Sequence, residues 1–481
     1  MNDRGRDAAT SAAAGRTATA RDQAARPGRL VLAVIVSCQL MVIVDGSIVT
    51  IALPRIQQDL HFSPAGLAWV VSGYSLAFAG LLLPGGRAGD SYGRRRMFIA
   101  GLAVFTAASL LAGLAPGAGV LIAARVAQGA GAALAAPASL SLLAASFPEG
   151  PERRRALGVF SMVAGLGLTI GLIAGGLLTA VSWRWVFIVN VPIGAVTIGL
   201  ARVTLAETPR HTARFDLPGA LTSAVGTAAL VYGFIRASAG GWSDWQALAA
   251  FGTGIIALAA FVLVEARGRQ PLLPLGLLAA RMRAGAYVNM LLLPAAMGGT
   301  LVFCSIFIQD VLRFSPLRAG LAFLPTAAAQ FAGARTAPRL VPRLGPQRIT
   351  VTGTALLLAS GIWLTGLSAG SGYLSALLGP LLLWGAGIGL AFMPLNMVIL
   401  AGLPPRDTGS ASGLLQCLQQ AGIALGVAVL TTVFGTSVRH TGTADAVAAA
   451  LILAPAFTGA ALLVAAFMLR RGPAAPAAVN S

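Results

Sequence analysis

Fourteen apolar stretches, each long enough for a membrane-crossing helix, constrain this chain more than any other feature of its sequence. They run near 30–54, 66–86, 97–115, 119–145, 156–180, 185–205 and 215–236. The rest lie near 245–265, 285–309, 319–342, 349–369, 373–401, 409–437 and 446–469. Crossing a hydrocarbon layer takes about 20 mainly apolar residues. Lipid offers no hydrogen bonds, so the backbone there must satisfy itself, which predicts an all-α polytopic membrane protein. Composition agrees: of 481 residues, 57% are hydrophobic and only 10% charged. Soluble domains carry about a quarter charged residues. One water-soluble core is also excluded by size, since such cores stop growing at about 250–300 residues.

The basic residues orient the spans. All 34 are Arg. With the N terminus inside and the spans alternating, 27 are counted to the inner side, six to the outer side, and Arg125 to a span. That bias is the positive-inside rule, and removing one span would invert every later loop. The expected protein therefore sits in the cell (inner) membrane with both termini cytoplasmic. A net charge of +19 also raises nucleic acid as a partner. The Arg clusters, however, lie between apolar spans without interleaved aromatics, so the bilayer surface is the expected partner and nucleic acid is not. Residues 1–29 and 471–481 read as cytoplasmic tails, the first basic and disordered. The stretch from Leu30 is longer than a signal-peptide core and lacks a cleavage site, so it should remain as the first helix.

The two ends of the chain resemble each other. Phe62-Ser63-Pro64 recurs as Phe314-Ser315-Pro316, and Gly93 as Gly345, both at an offset of 252. Gly129, Gly131 and Pro137 echo Gly385, Gly387 and Pro394. Gly158, Gly167 and Gly171 match Gly413, Gly422 and Gly426 at an offset of 255. Residues 30–205 and 285–470 thus read as two parallel six-helix bundles, with helices 7 and 8 and their linkers inserted at 206–284. Parallel halves with a midplane site between them are a recognised transporter plan.

Several motifs carry chemistry. Asp45, in Val44-Asp45-Gly46-Ser47, is the acid placed well inside a span. A carboxylate at such depth costs about 2.5–3.5 kcal/mol, so it reads either as a structural group near the helix end or as a proton-carrying one. Arg125, in Arg125-Val-Ala-Gln128-Gly129, must face the interior, as Asp45's partner or as a purely structural cation. Asp310, at the outer end of helix 9, is a further candidate for proton coupling. The basic loop after helix 2 holds Gly86, Asp90, Gly93, Arg94 and Arg95, where Asp90 can cap a facing helix or pair with Arg and so latch the cytoplasmic side. Pro342 stands at the matching position of the second half, so the latch is expected once. Gly167, Gly171, Gly175 and Gly176 in helix 5 form a small-residue packing stripe. Polar residues within spans, taken as substrate-cavity candidates, are Tyr74, Gln128, Asn289, Gln330, Asn396 and Gln416. Cys38, Cys304 and Cys417 lack metal or disulfide spacing and read as packing residues. With no Lys there is no phosphate-binding loop, and the three His form no cluster. Neither enzymatic chemistry, a metal nor a cofactor is expected.

These motifs resemble those of the major facilitator superfamily, and within it the fourteen-helix drug:proton antiporter branch of the EmrB/QacA type. The Asp45 segment is similar to that branch's helix-1 motif, Gly86–Arg96 to the loop motif, and Arg125–Gly131 to the helix-4 motif. Ser182-Trp183-Arg184-Trp185 through Asn190-Val-Pro192-Ile-Gly194, and Gly409–Gln416, resemble further stretches of the branch. The resemblance covers residues 30–470 and implies proton-driven export of small amphipathic drugs or antibiotics by a monomer. One departure stands out: Leu172 follows Gly171 where the antiporter motif has Pro, which removes a kink site. A dedicated exporter of one secondary metabolite and a proton-coupled uptake symporter stay open, while a non-transporting scaffold need not bury charge.

Overall fold

The structure is a computed structural model and describes residues 4–62, 64–207, 216–267, 276–404 and 407–468. The predicted tail at 471–481 and parts of the linkers, 208–215 and 268–275, lie outside the described residues. In chain order the helices are α1 (Arg4–Asp59), α2 (Pro64–Tyr92), α3 (Arg94–Gly113), α4 (Ala118–Ser146), α5 (Pro151–Val181), α6 (Trp185–Ile188), α7 (Asn190–Thr204), α8 (Leu217–Gly240) and α9 (Trp245–Arg267). They continue as α10 (Gly276–Ala279), α11 (Arg281–Ile306), α12 (Pro316–Ala322), α13 (Leu324–Leu364), α14 (Leu378–Leu400), α15 (Thr408–Thr441), α16 (Thr443–Leu451) and α17 (Leu453–Met468).

Helix occupies all fourteen predicted stretches, and among the described residues eleven helices are long and apolar enough to cross a membrane. The boundaries differ from the sequence reading in physical detail. The backbone of α1 is helical from Arg4, in the segment whose composition predicts a disordered tail, and its apolar part is Gly28–Asp59. The stretches 319–342 and 349–369 join in α13, which Gly345 (φ 80°) breaks into two arms. Short π-helical turns at Phe307–Val311 and Tyr373–Leu377 precede a loop and α14, respectively.

The sequence echo reappears in the backbone. Positive φ occurs at His61 and Arg313, and again at Gly93 and Gly345, each pair 252 residues apart. His61 and Gly93 flank α2, and Arg313 and Gly345 flank α12 with the first arm of α13, so the chain turns at matching places, and positive φ costs L-residues other than Gly about 1–2 kcal/mol. Helix pairing matches as well. In the first bundle α1 packs on α5 and α7, and α4 on α2 and α3. In the second, α11 packs on α15 and α17, and α14 on both arms of α13.

Close crossings depend on missing side chains. A Cβ on Gly426 would overlap the Ala295 backbone of α11. Gly167, Gly171 and Gly175 let α5 lie against α1 at Ile43, Ser47 and Ile48. Gly176, expected in the same stripe, has open space around it, so it is no packing position. Gly426→Ala should therefore lose stability, by about 1–3 kcal/mol for an overpacked site. Gly176→Ala should hold or gain about 0.5–1 kcal/mol from helix propensity. Thermal unfolding of the two variants in one detergent checks the contrast.

Candidate functional site

The helices bring Asp45 and Arg125 together. Asp45 stands near the middle of the apolar part of α1, and Arg125 two turns into α4. Both are shut away from solvent, at 0% and 1% exposure. Arg125 Nη1 donates to Asp45 Oδ2 at 2.6 Å and to Gln128 Oε1 at 3.0 Å, while Nε donates to the Val70 carbonyl at 2.9 Å. Gln128 Nε2 donates to Asp45 Oδ1 at 3.1 Å and to Ser109 Oγ at 2.7 Å. Asn190 Nδ2, at the start of α7, donates to the same Oδ1 at 3.0 Å. The guanidinium lies 4.3 Å from the centroid of the Tyr74 ring, a cation–π contact on α2.

A buried charge is tolerated when it is both paired and hydrogen-bonded, and this carboxylate has three donors. The arrangement can hold a fixed negative charge while Arg125 stays in place. It can also release that charge if a proton replaces the guanidinium.

A second cluster lies at the arginine-rich end. Asp90, at the end of α2, accepts from Gly409 N at 2.9 Å and Ser410 N at 3.1 Å, the first turn of α15 in the other bundle. Arg94 Nη2 reaches its Oδ1 at 2.9 Å. A carboxylate at a helix N-terminus answers both the orphan N–H groups and the macrodipole. Gly86 permits the crossing, because a Cβ there would overlap Gly409. Gly93 (φ 104°) turns the chain against Glu207, and Arg95 donates to the Arg202 carbonyl at 2.7 Å. Ser141 Oγ meets Ser412 Oγ at 3.2 Å, and Asn396 Nδ2 meets Ser161 Oγ at 3.2 Å, so the two bundles touch at several points of this end.

The structure separates other predicted groups. Gln128, expected in the substrate cavity, belongs to the charged network with both ends of its amide bonded. Tyr74 stacks on that network, and its hydroxyl is buried without a partner among the described residues. Asp310 is exposed in the π-helical turn on the second bundle, and none of the network's bonds reaches it. Asn289, Gln330, Asn396 and Gln416 are all buried on the second bundle. Asn289 Oδ1, Asn396 Oδ1 and Gln416 Nε2 lack partners among the described residues. A groove of about 360 Å³ between α1 and α7 includes none of the six cavity candidates. Sequence reasoning missed Asn190 and Ser109 as network members. Asn190 had a signal, as an amide inside the Trp183–Gly194 motif, whereas one Ser in an apolar helix has none.

Two helical bundles sharing one packing scheme, a buried ion pair inside one of them and a charged clasp between them describe a secondary membrane transporter rather than an enzyme. The chain belongs to the Major Facilitator Superfamily, whose family description matches residues 35–427. It is 39% identical over 408 residues to the puromycin resistance protein pur8 of Streptomyces alboniger, covering 84% of this chain and 81% of that protein. It is 38% identical over 412 residues to the cephamycin export protein CmcT of Amycolatopsis lactamdurans, covering 84% and 85%. Against the MFS-type transporter EfpA of Mycobacterium tuberculosis it is 37% identical over 425 residues, covering 86% and 79%. In fold it is similar to the human organic anion transporter MFSD10, with a TM-score of 0.68 at 16% identity over 91% of this chain and 99% of that one.

Proposed function

We propose that this protein exports small amphipathic molecules, drugs or antibiotics among them, in exchange for protons, with Asp45 as the proton-carrying group. The observation that carries the reading is the Asp45–Arg125 pair, whose 2.6 Å contact is buried in the same bundle that grips α15 through Asp90. The arginine-rich end is taken as cytoplasmic, with fourteen crossings and both termini inside. The paired left-handed residues and matching helix contacts support two parallel six-helix repeats with α8 and α9 inserted. On this assignment the conformation is closed to the cytoplasm, and the Asp90 cluster is the closed gate.

Two helices link the gate to the network. α2 carries Val70 and Tyr74 against Arg125 at one end and Asp90 at the other. At 1.5 Å per residue those contacts are about 30 Å apart along one helix. α4 carries Arg125 and Gln128 outside and Ser141 against Ser412 inside. A proton on Asp45 would release Arg125, and with it the hold on Val70, so one titration biases the packing of both helices. That is the two-state coupling alternating access needs. All parts lie in one chain, consistent with a working monomer, and the proton gradient supplies the energy.

Pur8 and CmcT are named for puromycin resistance and cephamycin export, which supports export and leaves substrate charge open. Inverted vesicles with an acid interior and labelled puromycin, a cephamycin and a neutral polyketide test the proposal. Export predicts gradient-dependent accumulation of at least one of them, several-fold over vesicles lacking the protein. α5 is helical straight through Gly171, with Leu172 where the antiporter motif has Pro, and this favours the symport alternative. Gradient-driven loss from preloaded vesicles would decide for uptake.

A further inference from the structure

We infer that the inserted α8–α9 hairpin is a wall that closes the lipid-facing cleft between α2 and α15, leaving the α5–α13 seam as the one through which a membrane-dissolved substrate enters. The inference rests on the alternating-access reading above, in which the cleft between the bundles opens and shuts.

α2 and α15 cross closely in their cytoplasmic halves, where Gly86 meets Gly409 and a Cβ on Gly413 would lie 2.7 Å from the Leu82 carbonyl. One turn further out α8 stands between them. On the α2 side, a Cβ on Gly80 would lie 3.0 Å from the Ala224 carbonyl and 3.2 Å from the Ala228 Cβ. Towards the outer end Trp69 stacks on Tyr232, with centroids 6.1 Å apart. On the α15 side Thr227 Oγ1 is 3.6 Å from Cys417 Sγ, and Trp242 Nε1 donates to Thr432 Oγ1 at 2.7 Å. The hairpin therefore touches both bundles at two levels each, and follows α15 outward in step: 227 of α8 with 417, then 242 of the turn with 432.

The hairpin is braced to hold that position. Arg236 binds Asp244 at 2.5 Å across its turn, and Trp242 stacks on Phe251 at 5.9 Å. α9 backs α8 and turns Leu248, Ile255, Ile256 and Leu263 outwards, each more than half exposed, as a lipid-facing surface does. The opposite seam has no such third layer among the described residues. There α5 and α13 meet directly, with a Cβ on Gly158 reaching 2.7 Å from Pro338, while Ile170 and Phe331 stay exposed beside the contact. When the bundles rock, the bare seam parts to lipid and the walled one stays covered. The two inserted helices thus break the symmetry of the repeat and give lipid access a side.

Cys417, buried behind Thr227, is a built-in reporter of the wall. Cys38→Ala and Cys304→Ala leave it as the single thiol, and a lipid-soluble reagent, N-cyclohexylmaleimide in proteoliposomes, reads its exposure. The wall predicts labelling at least tenfold slower than at Phe331→Cys placed in a background without native cysteines. It also predicts a several-fold rise in Cys417 labelling when Trp242→Ala and Trp69→Ala loosen the hairpin. Equal rates at Cys417 and Phe331→Cys overturn the inference, as does a Cys417 rate that ignores the loosened hairpin while circular dichroism shows the helices intact. Because labelling needs no transport, its failure is separate from failure of the proton-exchange reading.

Discussion

Asp45→Asn is expected to abolish proton-driven transport and to destabilise the protein at the same time. The substitution leaves the Arg125 charge buried at 1% exposure without its counter-ion. Removing one member of a buried pair costs about 3–5 kcal/mol, most of it the stranded charge. The two effects can be told apart. Asp45→Asn combined with Arg125→Gln removes both charges, and Gln128, Asn190 and Ser109 are still present to bond the neutral amides. The double variant should recover most of the lost unfolding temperature and none of the coupling. A double-mutant cycle followed by thermal unfolding measures the interaction directly. If the double variant is as unstable as the sum of the singles, the pair is not held as an ion pair.

Gly86→Val is expected to stop transport almost completely by a different route. Any Cβ at this position overlaps Gly409, and the next nearest backbone atom in α15 is Gly413 Cα at 3.2 Å. The cytoplasmic ends then cannot meet, and Asp90 loses its reach to Gly409 N and Ser410 N. Hydrogen bonds to a charged group are worth about 1.5–3 kcal/mol each. Every 1.4 kcal/mol is about tenfold in population, so losing two shifts the gate by two to four orders of magnitude towards open. Asp90→Asn keeps the shape and loses the charge, and should show a smaller shift in the same direction. Ser412→Cys in a background without native cysteines reports the state, since Ser412 is fully buried behind the gate. A water-soluble maleimide applied from the cytoplasmic side should label it far faster in Gly86→Val. Unchanged labelling would mean that this contact is not the gate.

Much of this was legible because lipid imposes few solutions. Span length, an acid well inside a span and the intramembrane Arg125 follow from the cost of polar groups in hydrocarbon, and Asp45 and Arg125 do pair. The bonding of Asp90 was legible as chemistry but not as geometry: a carboxylate in a Gly-Arg loop signals capping or pairing, and Asp90 makes both contacts. What escaped depends on facing. Polarity alone put Gln128 in a substrate cavity, whereas its position one turn after Arg125 places it against the same carboxylate. Gly176 directly follows Gly175, out of step with the four-residue spacing of Gly167, Gly171 and Gly175, and lies off the face that meets α1. The place of α8 between α2 and α15 was also out of reach, since the contacts that show it join residues far apart in the chain, as Trp69 with Tyr232 and Thr227 with Cys417.

The central claim is that substrate leaves as protons enter through Asp45. It is tested most directly by substrate-induced collapse of a pH gradient in inverted vesicles, read with a pH-sensitive dye. With wild-type protein, adding a transported drug should draw protons out of the acid interior and dissipate the gradient in proportion to drug accumulated. With Asp45→Asn at matched expression, the same addition should leave the gradient standing. A drug-dependent collapse of equal size in Asp45→Asn would contradict the account.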